Sequence, residues 1–295
     1  MSYLTIHETP DVQLEYLIMA FAGWTDAGEA ASSAIKYLRR SLGARKFAEI
    51  DPEEFYDFTQ ERPRSVRTKE GLRRVRWPAN EFAWSVAPDT GKGIMFFLGV
   101  EPNLRWRTFA SVIAGLAKEH GARTVVHLGA LLDGIPHTRD IRLTGSATQP
   151  ELQKMLEETN VRSSNYQGPT GISSAVLEAC ADQGMGYASV WGHTSHYLQA
   201  APNYRVSYTL AQTLARLLDL PVDLVELHSA AATFDREVAE AVARDEQLSA
   251  YVAKLEGQYD ESASSSEIPD PSEIVRDLEQ FLRSEQRRRP GDHQS

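Results

Sequence analysis

Two nearly continuous apolar runs, over 92–99 and 124–128, set the strongest limit on what this chain can fold into. A strand open to water on one face alternates apolar and polar side chains. An unbroken run therefore marks a strand covered on both faces, as in parallel sheets. Between the two runs, 104–120 reads as a helix with Phe109, Val112, Ile113 and Leu116 on one stripe and Gly121 at its end. The rhythm recurs along the chain. Strands are expected over 15–22, 44–50 and 186–191, and helices over 28–41, 171–182 and 204–218, the last stopped by Pro221. Such alternation specifies an α/β domain with a largely parallel sheet.

Two stretches depart from it. Residues 55–86, with strand-like segments around Lys69-Glu70-Gly71 and Pro78-Ala79-Asn80, read as an inserted β-hairpin or meander. Here Arg62, Arg64, Arg67, Lys69, Arg73, Arg74 and Arg76 face one acid, Glu70, a local charge of +6. This is a docking surface for an acidic partner or phosphate, a solvated hairpin that resists edge pairing, or a patch paired with an acidic neighbouring subunit. The second departure is the tail. Residues 260–267 are serine-rich and polar, and Pro271 and Ser272 then open a helix with Ile274, Val275, Leu278, Phe281 and Leu282 on one face. The expected organisation is an α/β core over 1–259 and a linker with an amphipathic helix over 260–295. The core carries the hairpin insertion at 55–86. It also carries a helical segment at 222–256 with Val238, Val242, Tyr251, Val252 and Leu255 inward.

A net charge of −10, from 31 basic and 41 acidic residues, argues against a general binder of nucleic acid or anionic membranes. No apolar run approaches the roughly 20 residues that span a bilayer, and the opening residues show no signal peptide, so a soluble cytoplasmic protein is expected. The single cysteine, Cys180, excludes an intramolecular disulfide and a cysteine-based zinc site. It lies in an alanine-rich helix and reads as inert packing.

The expected strands leave through Gly23, Gly99, Gly129 and Gly192, which brings Trp24, Asp26, Glu101, Asp133 and His193 to one edge of the sheet. Ligands of α/β proteins sit in the crevice at that edge. The bland alternative is four tight strand-to-helix turns. Gly168, Thr170 and Gly171 lead into a helix, whose free N–H groups suit an anion unless Thr170 simply caps them. His193 and His196, three apart, would meet on one metal if helical, with Asp26, Glu101 or Asp133 beside them. Local hydrogen bonding is the simpler reading, and no metal is expected. Dinucleotide, Walker, nucleophile-elbow and zincin motifs are absent from the sequence, and no cofactor is expected. No spacing selects a His–Ser or Asp–His pair, so catalysis stays open.

The run Phe21-Ala22-Gly23-Trp24-Thr25-Asp26-Ala27-Gly28 resembles the opening of the proteasome assembly chaperone 2 family, in its actinobacterial branch. So do Gly99-Val100-Glu101-Pro102, His127-Leu128-Gly129-Ala130-Leu131-Leu132-Asp133, Tyr166-Gln167-Gly168-Pro169-Thr170-Gly171 and Trp191-Gly192-His193, in order across 16–255. The resemblance implies a three-layer α/β sandwich similar to purine nucleoside phosphorylases and peptidyl-tRNA hydrolases. It also implies a homotrimer, a hairpin used in assembly and a C-terminal helical piece over the pocket. Archaeal and eukaryotic relatives help assemble proteasome rings, often through a C-terminal hydrophobic-Tyr-any tripeptide. Here the last residues are Asp292-His293-Gln294-Ser295, and docking by that route is not expected. The function implied is a scaffold or chaperone-like protein with a proteasome-related partner. The alternative from the residues alone is a small-ligand binder, or a hydrolase- or phosphorylase-like enzyme, at the glycine-lined edge.

Overall fold

The computed structural model describes residues 3–88, 90–198 and 201–264. The tail helix expected after Pro271 lies outside them. The first half of the chain gives β1 (Leu4–Ile6), β2 (Leu14–Ala22), α1 (Ala30–Ser41), β3 (Arg45–Ile50), β4 (Arg64–Arg67), β5 (Arg73–Arg76), β6 (Glu81–Val86), β7 (Gly93–Val100) and α2 (Trp106–Glu119). The second half gives β8 (Thr124–Asp133), β9 (Leu143–Ala147), α3 (Pro150–Glu158), β10 (Arg162–Ser163), α4 (Ile172–Asp182), β11 (Gly186–Ser195), α5 (Tyr204–Leu218), α6 (Val225–Ala243) and α7 (Glu246–Ser264).

Nine strands form one mixed sheet in the order β1-β3-β6-β7-β2-β8-β11-β9-β10. The centre, β7-β2-β8-β11, is parallel, and antiparallel strands flank it. On one face, α2 and α4 bury Phe109, Ile113, Leu116, Ile172 and Val176 against Leu17, Met19, Phe21, Phe97 and Val125. On the other, α1 and α5 bury Ile35, Leu38, Leu210 and Leu214 against Ile18, Ala20, Phe96, Val126 and Leu128. Both faces of the central strands are thus dry, which is why their sequences run without polar alternation. The result is the three-layer α/β sandwich.

Three expectations shift. Strands β8 and β11 do not end at their glycines. They pair in register from Thr124 with Gly186 to Asp133 with Ser195, so Gly129 and Gly192 lie inside extended chain, as Gly99 does in β7. A Cβ on Gly129 would fall 2.5 Å from the Trp191 indole, and one on Gly192 would fall 2.5 Å from Val206. These glycines make room for neighbours and do not turn the chain. The Lys69-Glu70-Gly71 segment is the turn of the β4–β5 hairpin, not a strand, and β6 after it belongs to the main sheet. Helix α1 starts at Ala30. Before it Gly28 takes φ 61° and Glu29 φ 49°, a left-handed kink in which glycine is unstrained.

Helices α6 and α7 form a separate small core from Phe234, Val238, Val242 and Val252. Leu255 is also buried and Tyr251 is half-buried, the inward face that the sequence pattern specified. Helix α7 runs through to Ser264, into the stretch expected to be a linker. Arg139 anchors it with paired bonds to Asp260 and a further one to Glu256.

Candidate functional site

The ten residues singled out from the sequence divide into separate places. Gly23, which follows β2 with φ 118°, brings the backbone within reach of Glu101, whose N–H donates to the Ala22 carbonyl at 2.9 Å. The Glu101 carboxylate turns to α4, where Oε1 accepts the Ile172 N–H at 2.9 Å. Gly171 presses against the same carboxylate and against Thr25, and the Trp24 ring lies at its edge. Glu101, and not Thr170, therefore caps α4. Thr170 is bonded instead to the Ser174 hydroxyl. Gly168 and Thr170 lie in an exposed loop, and Trp24 is 69% exposed. Burial raises the Glu101 carboxyl above its ordinary range, and the single N–H bond offsets only part of that.

Asp26 faces the other layer. Its Oδ1 accepts the N–H groups of Ala31 and Ser32 at 2.8 and 3.1 Å, so it satisfies the start of α1. Its Oδ2 is buried without a partner. Burial accordingly raises this carboxyl too, outweighing the bonds from Ser32 and Ala31 and the charge of Lys36.

Asp133 and His193 meet. Asp133 at the end of β8 and His193 on β11 bond through Oδ2 and Nδ1 at 2.7 Å. The other ring nitrogen, Nε2, lies 2.9 Å from the Thr144 hydroxyl on β9. Asp133 is also fixed by the Gly134 N–H at 2.7 Å and by Arg142 at 3.3 Å. Burial alone would raise the Asp133 carboxyl, but the His193 bond and charge, then Arg142 and the Gly134 N–H, hold it below its ordinary value. His196 is not on a helix with His193. It sits in the turn after β11, bonded to the Asp133 carbonyl and the Tyr251 hydroxyl. Among the described residues, no three His, Cys, Asp or Glu side chains converge on a metal position.

Sequence reading missed Thr144, Arg142 and Trp191. Thr144 lies 49 residues before His193, and its strand of small residues carries no apolar signal. It also missed His127, fully buried with neither ring nitrogen partnered and set edge-on to Trp191 at 5.3 Å. Burial pushes this imidazole down to about 3. Cys180 is buried on α4, and burial pushes its thiol up to about 12, which leaves it unreactive.

Two concave cavities lie apart from the ten residues, the first of them reaching Arg142. One of about 890 Å³ opens between the β9–β10 edge and α5–α6, lined by Arg142, Arg162, Arg205, Tyr208 and Asp235 among others. The other, about 770 Å³, lies between the start of α5 and α6. None of the ten residues lines either. No helix of the described residues is long and apolar enough to cross a membrane.

Comparison with known proteins places this geometry. No curated protein matches the chain. Among solved structures, the proteasome-assembly chaperone homologue of Mycobacterium tuberculosis is 34% identical, over 80% of this chain and 99% of that one, with a TM-score of 0.72. A PAC2 family protein from Streptomyces avermitilis is 33% identical, over 81% and 99%, also at 0.72. An archaeal proteasome activator from Pyrococcus furiosus shares the fold at 18% identity, over 81% and 97%, with a TM-score of 0.64. The PAC2 family pattern matches residues 20–242, from the last residues of β2 into the final turn of α6, and so takes in all ten of the residues described above. The chain belongs to the PAC2 family.

Proposed function

We propose that this PAC2 protein works in the cytoplasm as a chaperone-like homo-oligomer, a trimer by its family resemblance, that acts through protein–protein contacts. The observation that carries the reading is the β4–β5 hairpin. It stands as its own two-stranded sheet, and almost every residue from Arg62 to Arg76 is exposed. Among the described residues, none of its seven cations has an ion-pair partner within the chain. Leu72, Val75 and Trp77 add exposed apolar surface to it. An arm that buries so little contributes little to its own fold, and basic and apolar side chains together suit a contact with another protein.

Charge complementarity favours a second copy as one occupant. The arm holds +6 of a total of −10, so the rest of the chain carries −16. The kinship to a proteasome-assembly chaperone homologue supports a proteasome-related assembly as the further partner.

Sedimentation equilibrium at two salt concentrations tests this. The wild-type chain is expected as a trimer at about 0.05 M salt and in smaller species at about 0.5 M, where the Debye length falls to a few ångströms. The combined variant R64E/R67E/R73E/R74E is expected as a monomer in both. A wild-type chain that is monomeric throughout would defeat the oligomer reading.

A further inference from the structure

We propose that Thr144, His193 and Asp133 form a nucleophilic relay that cleaves acyl esters through an acyl group carried on Thr144, an activity separate from the contact role above. The geometry is that of an activated hydroxyl: nucleophile bonded to base, and base bonded to an orienting carboxylate. Nε2 of His193 is 2.9 Å from Thr144 Oγ1, and Nδ1 is 2.7 Å from Asp133 Oδ2. Because Asp133 is held as a carboxylate, Nδ1 carries the ring proton. Nε2 is then left as the acceptor that faces the hydroxyl. The Gly134 N–H and Arg142 keep the carboxylate from rotating away. Asp133 and Arg142 are the charged groups in contact with this relay, and they offset one another.

Placement and exposure agree with this division of roles. The three side chains come from β8, β11 and β9, neighbours in the sheet, so rigid elements hold them. Asp133 and His193 are buried, and Thr144 is partly open to solvent. Directly across the β9–β11 pair from Thr144 stands Trp191, also partly exposed. Its indole covers the bare backbone of Gly129 on β8, where a Cβ would fall 2.5 Å from the ring. An aromatic ring two residues before His193 on the same face of β11, beside a relay whose carboxylate Arg142 offsets, suits an uncharged, planar acyl group such as an aryl ester.

In the first step the Thr144 oxygen bonds to the carbonyl carbon while His193 Nε2 takes the hydroxyl proton. The ester C–O bond then breaks, and the alcohol leaves with that proton. In the second step water, deprotonated by His193, attacks the acyl carbon, releases the acid and returns the proton to Thr144. Nothing is oxidised or reduced.

The test incubates the full chain with p-nitrophenyl benzoate and p-nitrophenyl acetate. Expected are nitrophenolate release and one benzoyl or acetyl group on the peptide that contains Thr144. Thr144→Val and His193→Gln should each lower the rate at least about 100-fold, the usual weight of a positioned base, with Thr144→Ser within about tenfold of wild type. Asp133→Asn should lower the rate and change its pH profile, since it upsets the ring tautomer. Trp191→Ala should raise KM for the benzoate more than for the acetate. The proposal is overturned if wild-type Thr144 takes up no acyl group from either ester, or if the label falls on another residue. It is also overturned if a Thr144→Val chain with native circular dichroism keeps the wild-type rate. Labelling of the wild type decides the matter even where a variant fails to fold.

Discussion

At the carboxyl edge of the sheet, charge is scarce, buried and held by hydrogen bonds; on the β4–β5 arm it is dense and exposed, with one acid to seven cations and no ion pair to them among the described residues. Asp133 lies among His193, Arg142 and the Gly134 N–H, so three groups share one carboxylate. On the arm, five arginines of β4 and β5 share two short antiparallel strands. The difference shows where charge is part of the fold and where it is left over for something else. Asp133→Ala breaks the comparison at its strongest point, because it strands a partly buried Arg142 and a buried His193 together. A loss of about 3–5 kcal/mol is expected, the usual cost of removing one member of a buried ion pair, read as a lower urea midpoint at unchanged slope. A loss below about 1 kcal/mol would mean that water replaces the carboxylate easily and that this edge is less dry than its burial indicates.

The same edge holds groups whose burial works against them. For His127, the folded state depresses the pKa from 6.5 to about 3, so the folded chain binds fewer protons than the unfolded one between those values. Stability is therefore complete above about pH 6.5 and is lost as pH falls, by about 2 kcal/mol at pH 5. His127→Phe keeps a flat ring against Trp191 and removes both unpartnered nitrogens. It should flatten most of that decline, with half-buried His120 and buried His137, shifted the same way by burial, supplying the remainder. Equal acid slopes in wild type and variant would remove His127 as the cause.

Asp26 gives a smaller effect of opposite sign. Its raised pKa means that its ionisation opposes folding above the unfolded carboxylate range, and acidification relieves that cost. Asp133, with its lowered pKa, stabilises above that range and loses its contribution as pH falls through it. Asp26→Ala should cost about 1 kcal/mol through the lost α1 cap. Asp26→Asn should cost less, since the N–H groups of Ala31 and Ser32 need only the Oδ1 acceptor and the unpartnered Oδ2 charge disappears. If Asn costs as much as Ala in chemical denaturation, the ionised form of Asp26 is what holds the turn.

Much of the fold was legible because burial on both faces writes itself into β2, β7 and β8 as unbroken apolar runs, and into α2 as a stripe. The strand ends were not legible. Gly129 and Gly192 carry the letter of a turn, yet their meaning depends on Trp191 and Val206, side chains that only the folded sheet brings over them. For the edge, Asp133 and His193 were singled out, but their partner Thr144 was not, because an Asp–His–Thr chain is assembled across three strands and leaves no spacing to find. Asp26 was singled out as well, and its side chain went to the other layer, since the turn after Gly23 carries it to the start of α1. The arm was legible as charge before it was legible as structure. Its turn at Gly71 was misplaced because two short strands of arginines alternate no apolar face.

The arm offers the smallest effect on folding and so the sharpest contrast. Reversing four of its charges, R64E/R67E/R73E/R74E, touches no core contact, and the variant chain should unfold like the wild type once association is removed from the measurement. Dilution supplies that condition. If the wild type associates through the arm, its melting temperature rises with protein concentration, because partner binding stabilises the folded chain by mass action. The variant's should not. Extrapolated to dilute solution, the two temperatures should agree within about 2 °C, whereas at high concentration the wild type lies above. A variant that melts well below the wild type even when dilute would show that the arm supports its own core, and the contrast between the two regions would disappear.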